Sequence, residues 1–329
     1  MTGVRSIAIF QTAFLVMTAV TQAVGQQSAD QSAHRAALIT HDAVHLHYLE
    51  WRTTGPTVVL VPGYSLTAHA FDDIAALLPQ QFHVIAVTPR GFGESDAPTT
   101  GEYTVAVLVE DLHAILDSLH IQKAALVGHS LAGTVIASFA LRYPARVSRL
   151  LFLDSFPYFS EEHGDSIARL DPISTPPFTG DTTYDAAARY LATYRFVPWQ
   201  PALDADLRAK PLGDEGARRR ALTASYISDQ WAHPPALSEL RVPTLQICAK
   251  ASVKSEYPWL NPSDPTYNAA KRFIGTTLGP FNRKLCRRFE STVPGAQVAR
   301  IRGSHYVFFT NPKETARILT EFMRAEIPH

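Results

Sequence analysis

The sequence predicts an α/β fold, a mostly parallel central sheet with helices on both faces and a helical cap inserted late in the chain. Three observations carry that prediction. Short apolar runs alternate with amphipathic stretches along most of the 329 residues. Several of those runs are continuous, the pattern of strands buried on both faces. The alternation lapses once, between about residues 156 and 240, in a stretch rich in proline and aromatics with helical spacing.

The chain is 46% hydrophobic and 18% charged, with 30 basic and 30 acidic side chains. Balanced charge leaves no electrostatic footprint for a nucleic-acid partner. The 13 histidines show no metal-ligand spacing, so no metal site is expected. The pair His45 and His47 in "HDAVHLHY" reads as a solvated strand face.

The first residues stand apart. Arg5, an apolar stretch from Ile7 to Val20 and the small residues Ala23-Val24-Gly25 form the pattern of a secretory signal peptide over residues 1–25. Gln11 and Thr12 interrupt the stretch, which argues against a lasting membrane span, although a loose N-terminal anchor helix is the alternative. The expected location is therefore periplasmic or secreted, with residues 26–329 forming a single domain. In such a compartment the only two cysteines, Cys248 and Cys286, are a disulfide candidate, two buried thiols being the alternative.

From there each element follows in order. "ALIT" and "VHLHYLEW" alternate like half-buried strands. "TVVLVPGYS" is a continuous apolar run ended by Pro62-Gly63. "AHAFDDIAALLPQQ" has helical spacing, and "FHVIAVTPRGFGES" is a buried strand feeding a glycine-rich turn. Val105, Leu108, Leu112, Ile115, Leu116 and Leu119 share one face of a long helix. "KAALVGHS" is a strand, "LAGTVIASFALRYP" a helix stopped by Pro144, and "VSRLLFLDS" a strand. In the cap, "YDAAARYLATYRF" and "DEGARRRALTASYISDQW" are helical, the run Arg218-Arg219-Arg220 reading mostly as a solvated face. "VPTLQICAK" and "AQVARIRG" are the last strands, and "KETARILTEFMRAEI" the closing helix.

The strand that ends in Gly128-His129-Ser130 and opens a helix is a tight turn. Such a turn lifts a serine hydroxyl above the carboxyl end of a sheet, where ligands of open α/β sheets bind. It also sets the next amide, that of Leu131, at a helix N-terminus, ready to stabilise an oxyanion. His129 reads as a packing or hydrogen-bonding residue beneath the turn.

These residues resemble the α/β-hydrolase fold family. "GHSLAG" resembles its nucleophile elbow, with Ala132 at the second glycine of G-x-S-x-G. "TPRGFGES" resembles the family's D-x-R-G-x-G-x-S turn, with Thr88 for Asp. "VPGYS" resembles the turn after the third strand, with Pro62 for His, which makes the Tyr64 amide the second oxyanion donor. "GSHYVFFTNP" resembles the stretch that carries the catalytic histidine and places it at His305. The resemblance runs over nearly the whole chain after about Ala37.

A serine–histidine pair needs a carboxylate to orient the imidazole and stabilise its charged form. At the family's usual position, after "VPTLQICAK", this chain has Ser252. Asp154, at the end of "RLLFLDS", is the first choice for the acid, as in some members of the family. Glu256 is the alternative, with Asp264 a third. A Cys248–Cys286 bridge would then be a structural staple near a strand end that no longer presents the acid.

A serine nucleophile implies acyl transfer, whereas the epoxide hydrolases and dehalogenases of this fold use aspartate. The expected activity is hydrolysis of a hydrophobic carboxylic ester or lactone through an acyl-enzyme, with no cofactor and a small-molecule substrate as the partner. Phe156, Tyr158, Phe159, Tyr194, Phe196, Trp199 and Trp231, with Tyr257 and Trp259, suggest an apolar pocket over Ser130. Other serine hydrolases of the fold (amidase, aminopeptidase, C–C hydrolase) stay open. So does a ligand-binding protein with little turnover, which the substitutions Thr88, Pro62 and Ser252 motivate.

Overall fold

The computed structural model describes residues 34–99, 103–157, 170–173, 175, 183–196 and 198–325. The signal peptide expected over residues 1–25 and the aromatics Tyr158 and Phe159 lie outside the described residues. Among the described residues no helix is long and apolar enough to cross a membrane.

Among the described residues, eight strands form one sheet. They are β1 (Arg35–His41), β2 (Val44–Trp51), β3 (Thr57–Val61), β4 (His83–Val87), β5 (Ala124–His129), β6 (Val147–Leu153), β7 (Thr244–Lys250) and β8 (Gln297–Arg302). Their spatial order is β1-β2-β4-β3-β5-β6-β7-β8. The β1–β2 and β2–β4 pairs are antiparallel, and every later pair is parallel.

Apolar side chains on the two faces of this sheet feed two separate cores. Leu49, Val58, Leu60, Val127, Leu151 and Ile247 point to one face. There they meet α1 (Asp72–Leu77) and the closing helix, which carries Ala316, Leu319 and Phe322. Leu46, Val59, Val61, Leu126 and Phe152 point to the other. That face is covered by α2 (Val105–Ser118) and α3 (Ala132–Arg142). Thr104 caps α2, its side chain accepting from the Val107 amide at 3.3 Å. The uninterrupted apolar runs of β3 to β6 follow from this double cover.

Two expectations need correction. β2 is not half-buried: beyond His45 it is buried at every position, because it lies between β1 and β4 with both faces covered. His47 is therefore inside, while His45 stays at the surface against Asp96. The arginine run is not a solvated face either, as the cap helices show.

Between β6 and β7 the described residues form α4 (Tyr184–Tyr194), α5 (Pro201–Arg208), α6 (Gly213–Thr223) and α7 (Ser225–Ala232). Hydrogen bonds latch them to the sheet's loops. Asp206 accepts from the Thr67 amide at 2.7 Å and from its hydroxyl at 2.9 Å. Asp229 accepts from the Val105 amide at 2.7 Å. Arg219 donates to the carbonyls of Gly93 and Ser95 at 2.8 and 2.9 Å. Arg218, Arg219 and Arg220 are all part-buried, and only Arg218 turns chiefly to a neighbour on its own helix, Glu215.

The connection from β7 to β8 is helical: α8 (Val253–Glu256), α9 (Tyr267–Phe273) and α10 (Gly279–Thr292). α11 (Val307–Thr310) and α12 (Pro312–Arg324) follow β8. Cys248 of β7 and Cys286 of α10 are bridged, with a Cα–Cα distance of 6.4 Å across a separation of 38 residues. Closing a loop of that length is worth about 4 kcal/mol in the chain-entropy account. Replacing Cys286 by alanine should lower the free energy of unfolding by about 2–4 kcal/mol, read by urea denaturation of the oxidised wild type against the variant.

Candidate active site

The site forms where β5, β6 and β8 end. Ser130 follows the last residue of β5 and holds a left-handed backbone, φ 53°. A side chain in that region is strained, a cost of order 1–3 kcal/mol that neighbours must offset. They do so on both sides: the Ser130 amide donates to Leu153 O at 3.4 Å, and its carbonyl accepts from the Gly133 amide at 3.0 Å and from the Ser155 hydroxyl. The small residue at 133 is a steric requirement, since a Cβ there would fall 1.8 Å from Ser155 Oγ.

Gly63 approaches the same turn from the end of β3. A Cβ at Gly63 would lie 2.7 Å from His129 Nδ1 and 2.9 Å from Ser130 Cβ. That contact sets the next residue, Tyr64, beside the serine. The Tyr64 hydroxyl lies 3.2 Å from Thr223 Oγ1 and anchors the loop to α6. Leu131, on the other side of Ser130, is buried at the start of α3.

Asp154 ends β6 and is the second residue here with a left-handed backbone, φ 44°. β7 holds it at both ends. The Asp154 amide donates to Ile247 O at 2.7 Å, and its Oδ1 accepts from the Ala249 amide at 2.7 Å. Its other oxygen, Oδ2, accepts from His305 Nδ1 at 2.9 Å. The side chain is 8% exposed, so these partners replace water.

His305 sits in the loop after β8. His129, under the elbow, donates from Nε2 to the His305 carbonyl at 3.1 Å, and the two rings are 4.6 Å apart. Burial, then the nearness of His305, pushes the His129 pKa well below the usual range. His129 is therefore a neutral strut joining the serine turn to the histidine loop. Tyr306 stacks edge-on against His305 and also meets Phe196 of the cap, ring centroids 5.2 and 5.0 Å apart. The sequence offered no signal for Tyr306 beyond its place next to a histidine.

The other acid is elsewhere. Glu256 takes a hydrogen bond from Ser255 at 3.2 Å. Burial pushes its carboxyl up to about 7, against which the Ser255 bond works and to which the charge of Asp154 adds. Ser252, at the family's usual acid position, caps α8: its hydroxyl accepts from the Ser255 amide at 3.1 Å. Asp264 is spent on the turn it begins, accepting from the amide and hydroxyl of Thr266 at 2.8 and 2.6 Å. Tyr194 of the cap forms an edge-to-face chain with Trp259 and Tyr257 of the β7–β8 connection, centroids 5.5 and 5.7 Å apart. Behind the elbow, a small apolar cavity is lined by Val61, Pro62, Leu131, Ala132 and Val135.

A family model described as the alpha/beta hydrolase fold matches residues 56–238, more than half of the chain. The chain belongs to the alpha/beta hydrolase fold family. Among its relatives in that family, an uncharacterized hydrolase of Bacillus subtilis (strain 168), YugF, is 33% identical over 125 residues, 38% of this chain and 46% of the relative. The bifunctional epoxide hydrolase 2 of Sus scrofa is 35% identical over 139 residues, 41% of this chain and 25% of the relative. These matches thus span less than half the length of either relative. Among solved alpha/beta hydrolases, the carboxylesterase CesB of Bacillus subtilis superposes with a TM-score of 0.60 at 17% identity, over 89% of this chain and 93% of that one. At that identity the likeness is one of fold.

Glu256 gives this site a pH signature. Its carboxyl ionises near 4.5 in the unfolded chain and only near 7 in the folded one. Folding therefore takes up a proton between those values, and stability falls as the pH rises from about 4.5 to about 7. Glu256→Gln should remove that slope, so the variant melts higher than wild type at pH 8 and not at pH 4, measured by calorimetry.

Proposed function

We propose that the protein is an exported serine hydrolase that cleaves a hydrophobic carboxylic ester or lactone through an acyl-enzyme. The observation that carries this reading is the 2.9 Å hydrogen bond from His305 Nδ1 to Asp154 beside the strained Ser130 turn. With its proton on Nδ1, His305 keeps Nε2 as the basic nitrogen. Ser130 Oγ attacks the carbonyl carbon as its proton passes to His305 Nε2. Asp154 stabilises the imidazolium so formed. The carbonyl oxygen takes up the negative charge and is held by the amides of Leu131 and Tyr64. As the tetrahedral intermediate collapses, the alkoxide leaves with the proton from His305. Water then attacks the Ser130 ester by the same route in reverse, releasing the acid and restoring the hydroxyl.

Asp154 is favoured over Glu256 as the acid by contact and by charge. It meets His305 directly, while a carboxyl with a pKa of about 7 is half-protonated at neutral pH and a poor counter-charge. The epoxide hydrolase relative raises a second chemistry, and a serine at the elbow argues against it. Epoxide opening by a serine would leave an ether, which water does not cleave under such conditions. An aspartate leaves an ester, which it does. The aromatic contact of Phe196 with Tyr306, the neighbour of His305, supports an apolar substrate. The disulfide and the N-terminal apolar stretch support export.

The reading of a binder with little turnover loses part of its motive, because Ser252 and Thr88 have structural work. Ser252 caps a helix, and the Thr88 hydroxyl accepts from the Ala68 amide at 3.0 Å. A fluorophosphonate probe should label wild-type protein at Ser130, and absence of label in folded protein would favour the binder. Ser130→Ala should abolish p-nitrophenyl ester turnover; near-normal activity sinks the proposal. Asp154→Asn should lower kcat by about 10³–10⁴-fold, as when an imidazole is left in the wrong tautomer, and Glu256→Gln by less than about tenfold. The reverse ranking would make Glu256 the acid.

A further inference from the structure

Away from the serine, one strand and two turns bring histidines and carboxylates together. His47 comes from β2, His69 from the turn that follows β3, and Glu94 from the glycine-rich turn after β4. One ligand atom from each lies within 4.8 Å of the others. The Glu94 carboxylate spans the two rings, with Oε2 3.4 Å from His47 Nδ1 and Oε1 3.6 Å from His69 Nε2. We propose that His47, His69 and Glu94 bind a divalent metal ion of the zinc type, which clamps the loops beneath the cap.

Three features support a built site. First, the spacing from Glu94 to each ring is close to what an ion needs: bonds of about 2.0–2.2 Å at tetrahedral angles set ligand atoms about 3.4 Å apart, against 3.4 and 3.6 Å here, and all three ligand atoms lie within 4.8 Å of one another. Second, the outer partner of His69 is in place: its Nδ1 lies 3.1 Å from Asp72 Oδ2, while Nε2 faces Glu94. A carboxylate on the far nitrogen fixes the ring and raises its basicity, the arrangement common behind metal-bound histidines. Third, the rings are held while the carboxylate has access. The His47 and His69 side chains are 5% and 11% exposed, and Glu94 is 43% exposed, which provides an entry path. His47 is fixed through its backbone, its amide donating to Ser95 Oγ at 2.9 Å and its carbonyl accepting from the Thr88 amide at 2.9 Å.

The set of two imidazoles and one carboxylate suits zinc and its first-row neighbours better than calcium or magnesium, which take oxygen ligands. Bound there, the ion takes the His47 Nδ1 lone pair that otherwise meets Thr88 Oγ1 at 2.9 Å. A fourth position is left for water. The ion's role is structural. It joins β2, the turn after β3 and the turn after β4, where Thr67 and Gly93 also bind the cap through Asp206 and Arg219. The rival occupant is a proton on His69, shared with Asp72 and Glu94.

The test uses the chain without a histidine tag, stripped with a chelator and titrated with Zn²⁺ and with Co²⁺. Wild type should bind one equivalent, give the intense visible absorption of tetrahedral Co²⁺, and melt about 5 °C higher at a hundredfold excess over Kd. Glu94→Gln and His47→Gln should weaken binding by at least about a hundredfold, and Asp72→Asn by about 10–100-fold. His45→Gln, at the exposed neighbour, should change nothing. Because Glu94 is partly exposed, Glu94→Gln should fold. No stoichiometric binding by wild type, or undiminished binding by folded Glu94→Gln, overturns the proposal and leaves a proton at His69.

Discussion

One carboxylate holds the site together. Asp154 meets the end of β7 through Ala249 and the loop after β8 through His305, and its own amide reaches Ile247. Three neighbouring strands are thus tied at their carboxyl ends by one residue. The position of the histidine ring therefore depends on the register between β6 and β7. That register is set by the apolar residues on the two faces, Leu151 and Leu153 against one core and Leu150 and Phe152 against the other.

The same arrangement explains why strain gathers here. Ser130 and Asp154 both take left-handed backbone conformations, one at the end of β5 and one at the end of β6. Each turn aims a side chain up from the sheet, and each is held by hydrogen bonds to the adjacent strand. Ser155 links the two, its hydroxyl donating to the Ser130 carbonyl. A change at Ser155 therefore acts on the backbone of the Ser130 turn.

The fold was legible because continuous apolar runs and helical periodicities are local, and so was the strand–serine–helix turn. What escaped was set by distance in the chain. Sequence order offered both Asp154 and Glu256 as acids, and only the backbone at the end of β7 decides which meets His305. His47 read as solvated because its strand pattern looked half-buried, while its cover comes from residues 22 and 47 positions on. Arg219 read as a solvated face because, besides Glu215, its acceptors are two backbone carbonyls in another loop. Such acceptors leave no mark on composition.

The place of Asp154 at the end of β6 also bears on how the site assembles. Ser130 and Asp154 belong to one β-α-β unit, β5–α3–β6, whose contacts are short in sequence. His305 belongs to the last strand's loop and joins across the whole cap and the helical connection. Local contacts form with little loop-closure entropy, and distant ones come later. Ser130 and Asp154 can therefore be brought near each other early in folding, while Asp154 is fixed only when β7 pairs and His305 docks only when β8 completes the sheet. The contact between Asp154 and His305 is thus a late event, withheld until the last strand of the sheet is in place.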